Sequence, residues 1–175
     1  NEASATIIRL IDMGIEPYGT EALSTLRIEM GHVAGSEIDG RVIASDLSLE
    51  GMLSKKKDFI GKRSLTRSDT AREDRKKLVG IVPLDKSKFI EEGQHIVECE
   101  TLPSTIKTPI PYLGHITSSY HSPNLEHCIS MALIKGGNKL MGAKLFVSTS
   151  NGTKNIPVEV VNPVFIDPEN KRLVS

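Results

Sequence analysis

Cysteine is scarce, and neither sign of charge is in excess. The two cysteines, Cys99 and Cys128, are too few to complete a metal cluster alone or to form the disulfide framework of a small secreted domain. A reducing, cytoplasmic compartment fits them best. Lys+Arg and Asp+Glu both number 22, so the formal net charge is zero. Nucleic-acid binders draw most of their affinity from neutralising phosphates and carry a basic excess; none is visible, and no nucleic-acid partner is expected. No apolar run approaches the ~20 residues that cross a bilayer, and no signal-peptide pattern appears, so no membrane partner is expected either. Also lacking are a serine nucleophile elbow, a Walker-type phosphate loop and a dinucleotide fingerprint. Gly31 and Gly35 have neither the glycine spacing nor the preceding strand for the last of these.

What is present is an ordinary globular composition, 38% hydrophobic and 25% charged over 175 residues, long enough to build a core without staples. The chain opens on Asn1, directly into a helical pattern without a cap. The expectation is a C-terminal piece of a longer protein. Residues 3–13 place Ala3, Ile7, Ile8, Leu10 and Ile11 at helical spacing, with Gly14 at the stop. After a break at Pro17-Tyr18-Gly19, Thr20 is a candidate N-cap and Glu21 suits the first-turn dipole. Ala22, Leu23, Leu26 and Met30 form an apolar stripe with Ile28 opposite, which predicts a helix buried between two layers. Residues 31–57 read as loop, and Asp58 as the cap of a short helix through Leu65. Residues 66–77 mix charges without apolar anchors and read as a solvated linker, which places a boundary between residues 1–75 and 76–175.

Beyond Lys77 the period changes to that of strands: 78–84, 94–100, 114–120, 129–135, 144–150 and 155–161. Gly136-Gly137-Asn138 and Asn151-Gly152 are hairpin signals, because these residues accept positive φ. Pro103, Pro109 and Pro111 keep their stretch out of a sheet centre. The expected fold class is α+β: a helix-rich segment followed by a small antiparallel sandwich or barrel.

Few side chains suggest chemistry. His115 and His121 are six apart with no carboxylate at metal-ligand spacing, and no metal site is expected. Cys99 and Cys128 alternate with apolar residues and read as buried, inert thiols. Lys55-Lys56-Lys57 reads as a solvated run, or as a surface that meets an anion. Arg27 lies roughly 85° from the centre of its helix's apolar stripe. It is either a snorkelling surface residue or a bidentate clamp for a carboxylate in a cleft beside the helix.

The run Gly19-Thr20-Glu21-Ala22-Leu23-Ser24-Thr25-Leu26-Arg27-Ile28-Glu29-Met30-Gly31 resembles a helix of the aminomethyltransferase family, which includes the T-protein of the glycine cleavage system. Lys57-Asp58-Phe59-Ile60-Gly61-Lys62-Arg63, Leu78-Val79-Gly80, Leu113-Gly114-His115-Ile116-Thr117-Ser118 and the closing Pro163-Val164-Phe165 are similar to later motifs of that family. Within it, Ser54–Ser64, Asp74–Gly80, Leu113–Tyr120 and Phe165-Ile166-Asp167-Pro168-Glu169 resemble the α-subunit family of heterotetrameric sarcosine oxidases.

The resemblance implies a division: residues 1–75 as the C-terminal part of a folate-binding aminomethyltransferase-like domain, and 76–175 as the family's C-terminal β-barrel. It implies oxidative demethylation of sarcosine to glycine, hydrogen peroxide production, and transfer of the one-carbon unit to tetrahydrofolate. FAD, FMN and NAD would serve the full complex without binding this piece. The partners would be the β, γ and δ subunits. The family's catalytic Asp and pterin-binding Glu match positions upstream of Asn1, so no catalytic residue is expected here. Arg27 matches the family's folate-contacting arginine, and a guanidinium suits a folate glutamyl carboxylate. Residues 169–175 offer no match to the T-protein's C-terminal tyrosine. The competing readings are a glycine-cleavage-type aminomethyltransferase, a dimethylglycine dehydrogenase, and a non-enzymatic folate-binding assembly or interaction module. The assembly proteins carry a cysteine in a motif that here reads Lys57-Asp58-Phe59-Ile60-Gly61.

Overall fold

The computed structural model describes residues 2–102, 109–149 and 154–173. Two α-helices, α1 (Glu2–Asp12) and α2 (Thr20–Glu29), precede six strands. These are β1 (Lys76–Pro83), β2 (His95–Val97), β3 (Gly114–Ser122), β4 (His127–Lys135), β5 (Lys144–Val147) and β6 (Ile156–Val161). The strands close into an antiparallel barrel in the order β1-β4-β3-β2-β5-β6, with β6 returning to β1. All six expected strands are present. β2 and β5 are shorter than their alternation suggested, and the expected helix-rich part contains only two α-helices and short 3-10 turns before β1.

The barrel has a core on each side of its wall. Val79, Ile81, Ile96, Ile116, Ala132 and Ile134 fill the inside. Leu78, Ile129, Met131 and Leu133 face outward, where Ile28 of α2 and Leu47 cover them. Consecutive residues of β4 therefore go to opposite cores, and all but its last residue are buried. Such two-sided burial explains an apolar run where a half-exposed strand would alternate. Wrapping residues 20–49 around β1, β3 and β4 makes the outer core.

Several local expectations are corrected. The N-cap of α2 is Gly19, with Thr20 already helical, and no side chain caps it. Its buried face carries Ile28, fully buried, whereas Leu23 and Leu26 are 52% and 47% exposed. Only one side of α2 meets another layer among the described residues, because the helix lies on β3 and β4 through the Ile28 side. α1 buries nothing, and Ile7, Ile8 and Ile11 remain exposed, as do Leu23 and Leu26 of the next helix. A Leu26→Ala change should accordingly shift the stability of this chain by no more than about 0.5 kcal/mol. Urea unfolding checks this, and a loss of several kcal/mol would mean the stripe is covered.

Asp58 does not cap a helix; a 3-10 turn at Lys62–Thr66 starts from Gly61, and Asp58 bonds the Lys62 ammonium at 2.9 Å instead. The 66–77 segment is not uniformly solvated, because Arg75 and Lys77 turn inward toward Asp46. Gly136-Gly137-Asn138 opens a 3-10 turn rather than a hairpin, since β4 and β5 pair with other strands. Asn151-Gly152 and Pro103 lie outside the described residues, while Pro109 and Pro111 lie outside every strand. Pro163-Val164-Phe165 does not form a strand. It passes α2, where the Glu29 carbonyl accepts N–H bonds from Phe165 and Ile166, both at 2.9 Å. That approach needs Gly31, whose missing Cβ would sit 2.8 Å from the Pro163 carbonyl oxygen, and whose φ of +69° disfavours other residues.

Candidate functional site

Arg27 leaves the last turn of α2, where a cation complements the helix dipole, and turns toward the barrel. Its Nη1 donates to Glu37 Oε2 at 3.1 Å and to the His32 carbonyl at 3.2 Å. Its Nη2 donates to Ser118 Oγ at 2.7 Å. Ser118 Oγ in turn donates to Glu37 Oε1 at 2.5 Å, and the Ala34 N–H donates to Glu37 Oε2 at 3.0 Å. Arginine, glutamate and serine thus close a ring of hydrogen bonds joining helix, loop and barrel.

A β-bulge aims the serine. The β3–β4 register runs Ile116 opposite Ala132 and then Ser118 opposite Met131, so Thr117 is the extra residue. Its hydroxyl bonds the Met131 carbonyl at 3.0 Å. The inserted residue reverses the facing of its successors along the strand. Ser118 points out to Arg27 and Glu37, and Ser119 points in, where it bonds Ser130 at 2.8 Å.

The ring sets what Arg27 can do. Glu37 is fully buried and the Arg27 side chain is 19% exposed, so the pair is mutually neutralised at close range. A guanidinium has five N–H donors. Three are used here, and Nε–H and one Nη2–H have no partner among the described residues. Arg27 is thus mostly buried and holds the chain's own Glu37 through a single Nη1–Oε2 contact rather than a bidentate one.

Two further buried acids repeat the theme. Glu29 accepts from Ser122 Oγ and twice from Asn124 Nδ2, at 3.1 and 2.9 Å. Asp46 accepts from Arg75 Nε at 3.0 Å and from the Ile43 N–H at 3.1 Å, with the Lys77 ammonium 3.7 Å away. Glu29, Glu37 and Asp46 each tie the first 46 residues to barrel groups, and sequence reasoning singled out none of them. Position alone gave no signal, because the polarity of a carboxylate predicts exposure.

The remaining candidates separate. Lys55-Lys56-Lys57 is exposed and takes no part in the ring's hydrogen bonds. Cys128 is buried, but Cys99 is only partly so, which corrects the expectation for one of the two thiols. No group of three or more His, Cys, Asp or Glu residues is arranged to hold a metal among the described residues. Among those residues, too, no helix is long and apolar enough to cross a membrane.

Comparison with known proteins agrees with the fold and the motifs. A profile of the glycine cleavage T-protein C-terminal barrel domain matches residues 76–167, more than half of the chain. The sarcosine oxidase subunit alpha of Rhizobium meliloti (strain 1021) is 40% identical over 163 residues, covering 93% of this chain and 16% of the relative. The subunit alpha of Corynebacterium sp. (strain U-96) is also 40% identical, over 92% of this chain and 16% of its own length. The chain thus spans about one-sixth of the length of these relatives. Among solved structures, the glycine cleavage system aminomethyltransferase T from Bartonella henselae superposes with a TM-score of 0.76 over 95% of this chain and 44% of that one. At 21% identity that likeness speaks for the fold alone. The resemblance to sarcosine oxidase α subunits, first carried by short motifs, thus extends over nearly the whole chain, which belongs to the glycine cleavage T-protein C-terminal barrel family.

Proposed function

We propose that this chain serves in a sarcosine oxidase, forming one wall of a tetrahydrofolate site together with the barrel that closes it. The observation that carries the reading is the 40% identity to sarcosine oxidase α subunits across nearly all of the chain. In the proposed reaction sarcosine gives up its N-methyl carbon and two electrons. Dioxygen takes the electrons as hydrogen peroxide, tetrahydrofolate takes the carbon as a methylene group, and glycine remains. The flavins, NAD and the β, γ and δ subunits of the proposed complex lie outside residues 1–175.

What this chain's residues contribute is position. Glu37 and Ser118 hold the Arg27 guanidinium by one side, and the Nε hydrogen and the second Nη2 hydrogen, which have no partner among the described residues, face a ligand carboxylate or carbonyl. Bound folate supplies the amine that receives the one-carbon unit, and holding it in place is worth several kcal/mol of barrier by proximity. In the same reading residues 1–75 are the end of a folate-binding domain. Its remaining part covers the exposed Ile7, Ile8, Ile11, Leu23 and Leu26 face.

The test is an Arg27→Ala change in the complete enzyme, with tetrahydrofolate affinity and sarcosine-dependent flavin reduction measured side by side. Losing a hydrogen bond from a charged donor costs about 1.5–3 kcal/mol, which raises Kd about 10- to 150-fold. The rate of flavin reduction should stay at the parent value. Unchanged folate affinity would remove Arg27 from the site.

A further inference from the structure

Apart from the Arg27 ring, a cleft of about 270 Å³ lies between the 39–46 loop, the 69–76 segment and the barrel wall. Four aspartates and three arginines line it, and they are largely spent on one another. Arg41 pairs with Asp39, Arg72 with Asp74 and Asp69, and Arg75 with Asp46 and Asp69. Two cations are left over. Lys76 and Lys135 also line the cleft, and they face each other as direct partners on β1 and β4. Like charges directly opposite on paired strands are destabilising, yet neither ammonium forms an ion pair within 4 Å among the described residues, and the Asp74 carboxylate that Lys135 acts on is bonded to Arg72. Lys76 lies 5.5 Å from the centre of the Tyr112 ring, a contact that holds the cation without neutralising it.

His115, on the same wall, senses the resulting field. Its pKa is held below the ordinary histidine range, first by burial and then by Lys76, His95 and Arg41, against which only Asp39 acts. A neutral imidazole beside the Lys76 ammonium adds a hydrogen-bonding group without adding charge. The cleft is small beside typical drug-sized sites of roughly 300–1,000 Å³, which limits the occupant to a compact group.

We propose that this cleft is a binding site for a small oxyanion carrying two or more negative charges, held between the ammonium groups of Lys76 and Lys135 beside His115. Lysine presents a compact point charge that suits phosphate or closely spaced carboxylates, and an anion there relieves the facing repulsion. The inference does not rest on the folate reading, because the cleft shares no residue with the Arg27 ring.

Lysine acylation footprinting of the intact protein tests it, read by mass spectrometry at constant ionic strength. Inorganic phosphate and malonate form separate arms, chloride serves as the reference, and Lys55-Lys56-Lys57 serve as internal controls. Protection scales as 1 + [L]/Kd, so at an anion concentration about twice Kd, acylation of Lys76 and Lys135 slows about threefold. The control lysines should be unaffected. Protection by phosphate alone identifies a phosphate-type group, and protection by malonate a dicarboxylate. A Lys76→Gln/Lys135→Gln variant should lose any rise in Tm that the protecting anion gives the parent. Equal protection at the control lysines, or none at Lys76 and Lys135, overturns the proposal.

Discussion

Replacing Asp46 by alanine should destabilise the chain by about 3–5 kcal/mol, the cost of leaving a buried ion pair without one partner. The magnitude reflects burial on both sides: Asp46 is 2% exposed and Arg75 12%. The carboxylate takes Nε of Arg75 at 3.0 Å and lies 3.7 Å from the Lys77 ammonium. Lys77 also donates to the Ser45 carbonyl at 2.6 Å. Removing Asp46 leaves two partly buried cations facing each other with only the exposed Asp69 nearby. At this chain length each kcal/mol lowers Tm by roughly 2–4 °C, so thermal denaturation should register a fall of about 10 °C. Salt should change that difference little, because buried charges are poorly screened. An Arg75→Met change in the Asp46→Ala background should recover part of the loss, since it removes an orphaned charge. A loss below about 1 kcal/mol would mean that Arg75 swings to solvent at no cost, which is how surface pairs behave.

Gly114→Ala should cost about 3 kcal/mol, at the upper end for overpacking, for a reason unrelated to charge. A Cβ at this position would lie 1.9 Å from the Leu133 carbonyl oxygen and 2.9 Å from the Ile134 Cα. Both are backbone atoms of β4, so no rotamer change relieves the collision. The neighbouring Leu113 N–H and carbonyl are tied to Ile96 and Lys135 at 2.8 and 2.9 Å, which stops β3 from backing away. The expected result is a lower urea midpoint together with faster amide exchange along β3 and β4. Gly93→Ala is the matched control for added bulk, because its Cβ would meet nothing within 4 Å. Its φ of +82° brings a backbone penalty instead, of order 1 kcal/mol. If the two changes cost the same, the close strand crossing is not what Gly114 serves.

The parts legible in the sequence are those whose physics is local. β1, β3, β4 and β6 appear as short strand-like runs between turn residues, and a small sandwich or barrel is implied by their number and spacing. The face of α2 was not legible. Leu23 and Leu26 carry more apolar surface than Ile28, but burial depends on what the helix packs against, and it is Ile28 that meets Met131 and Leu133. The acids were hidden for the opposite reason: Glu37 and Asp46 look like surface residues until their partners, distant in sequence, are supplied. Arg27 stands out in the sequence, whereas the hydrogen bond it makes to Ser118 depends on the bulge at Thr117, an inserted residue with no compositional mark. Gly114 stood inside a recognised motif, but only the crossing of three strands explains why that position is glycine.

Closure of β6 onto β1 has a consequence for how the chain is made. Gly80 must find Val161, and Glu29 must find Ser122 and Asn124. At about 5–20 residues per second of synthesis, β1 waits several seconds on the ribosome before its second neighbour exists. Folds dominated by such distant pairings assemble in milliseconds to seconds even once complete. During the wait, β1 presents an open hydrogen-bonding edge beside the apolar residues of β4 and α2, an edge of the kind that recruits other nascent chains. The last strand thus acts as the lid on an aggregation hazard, and premature termination before Ile156 should send the product to chaperones or into inclusion bodies.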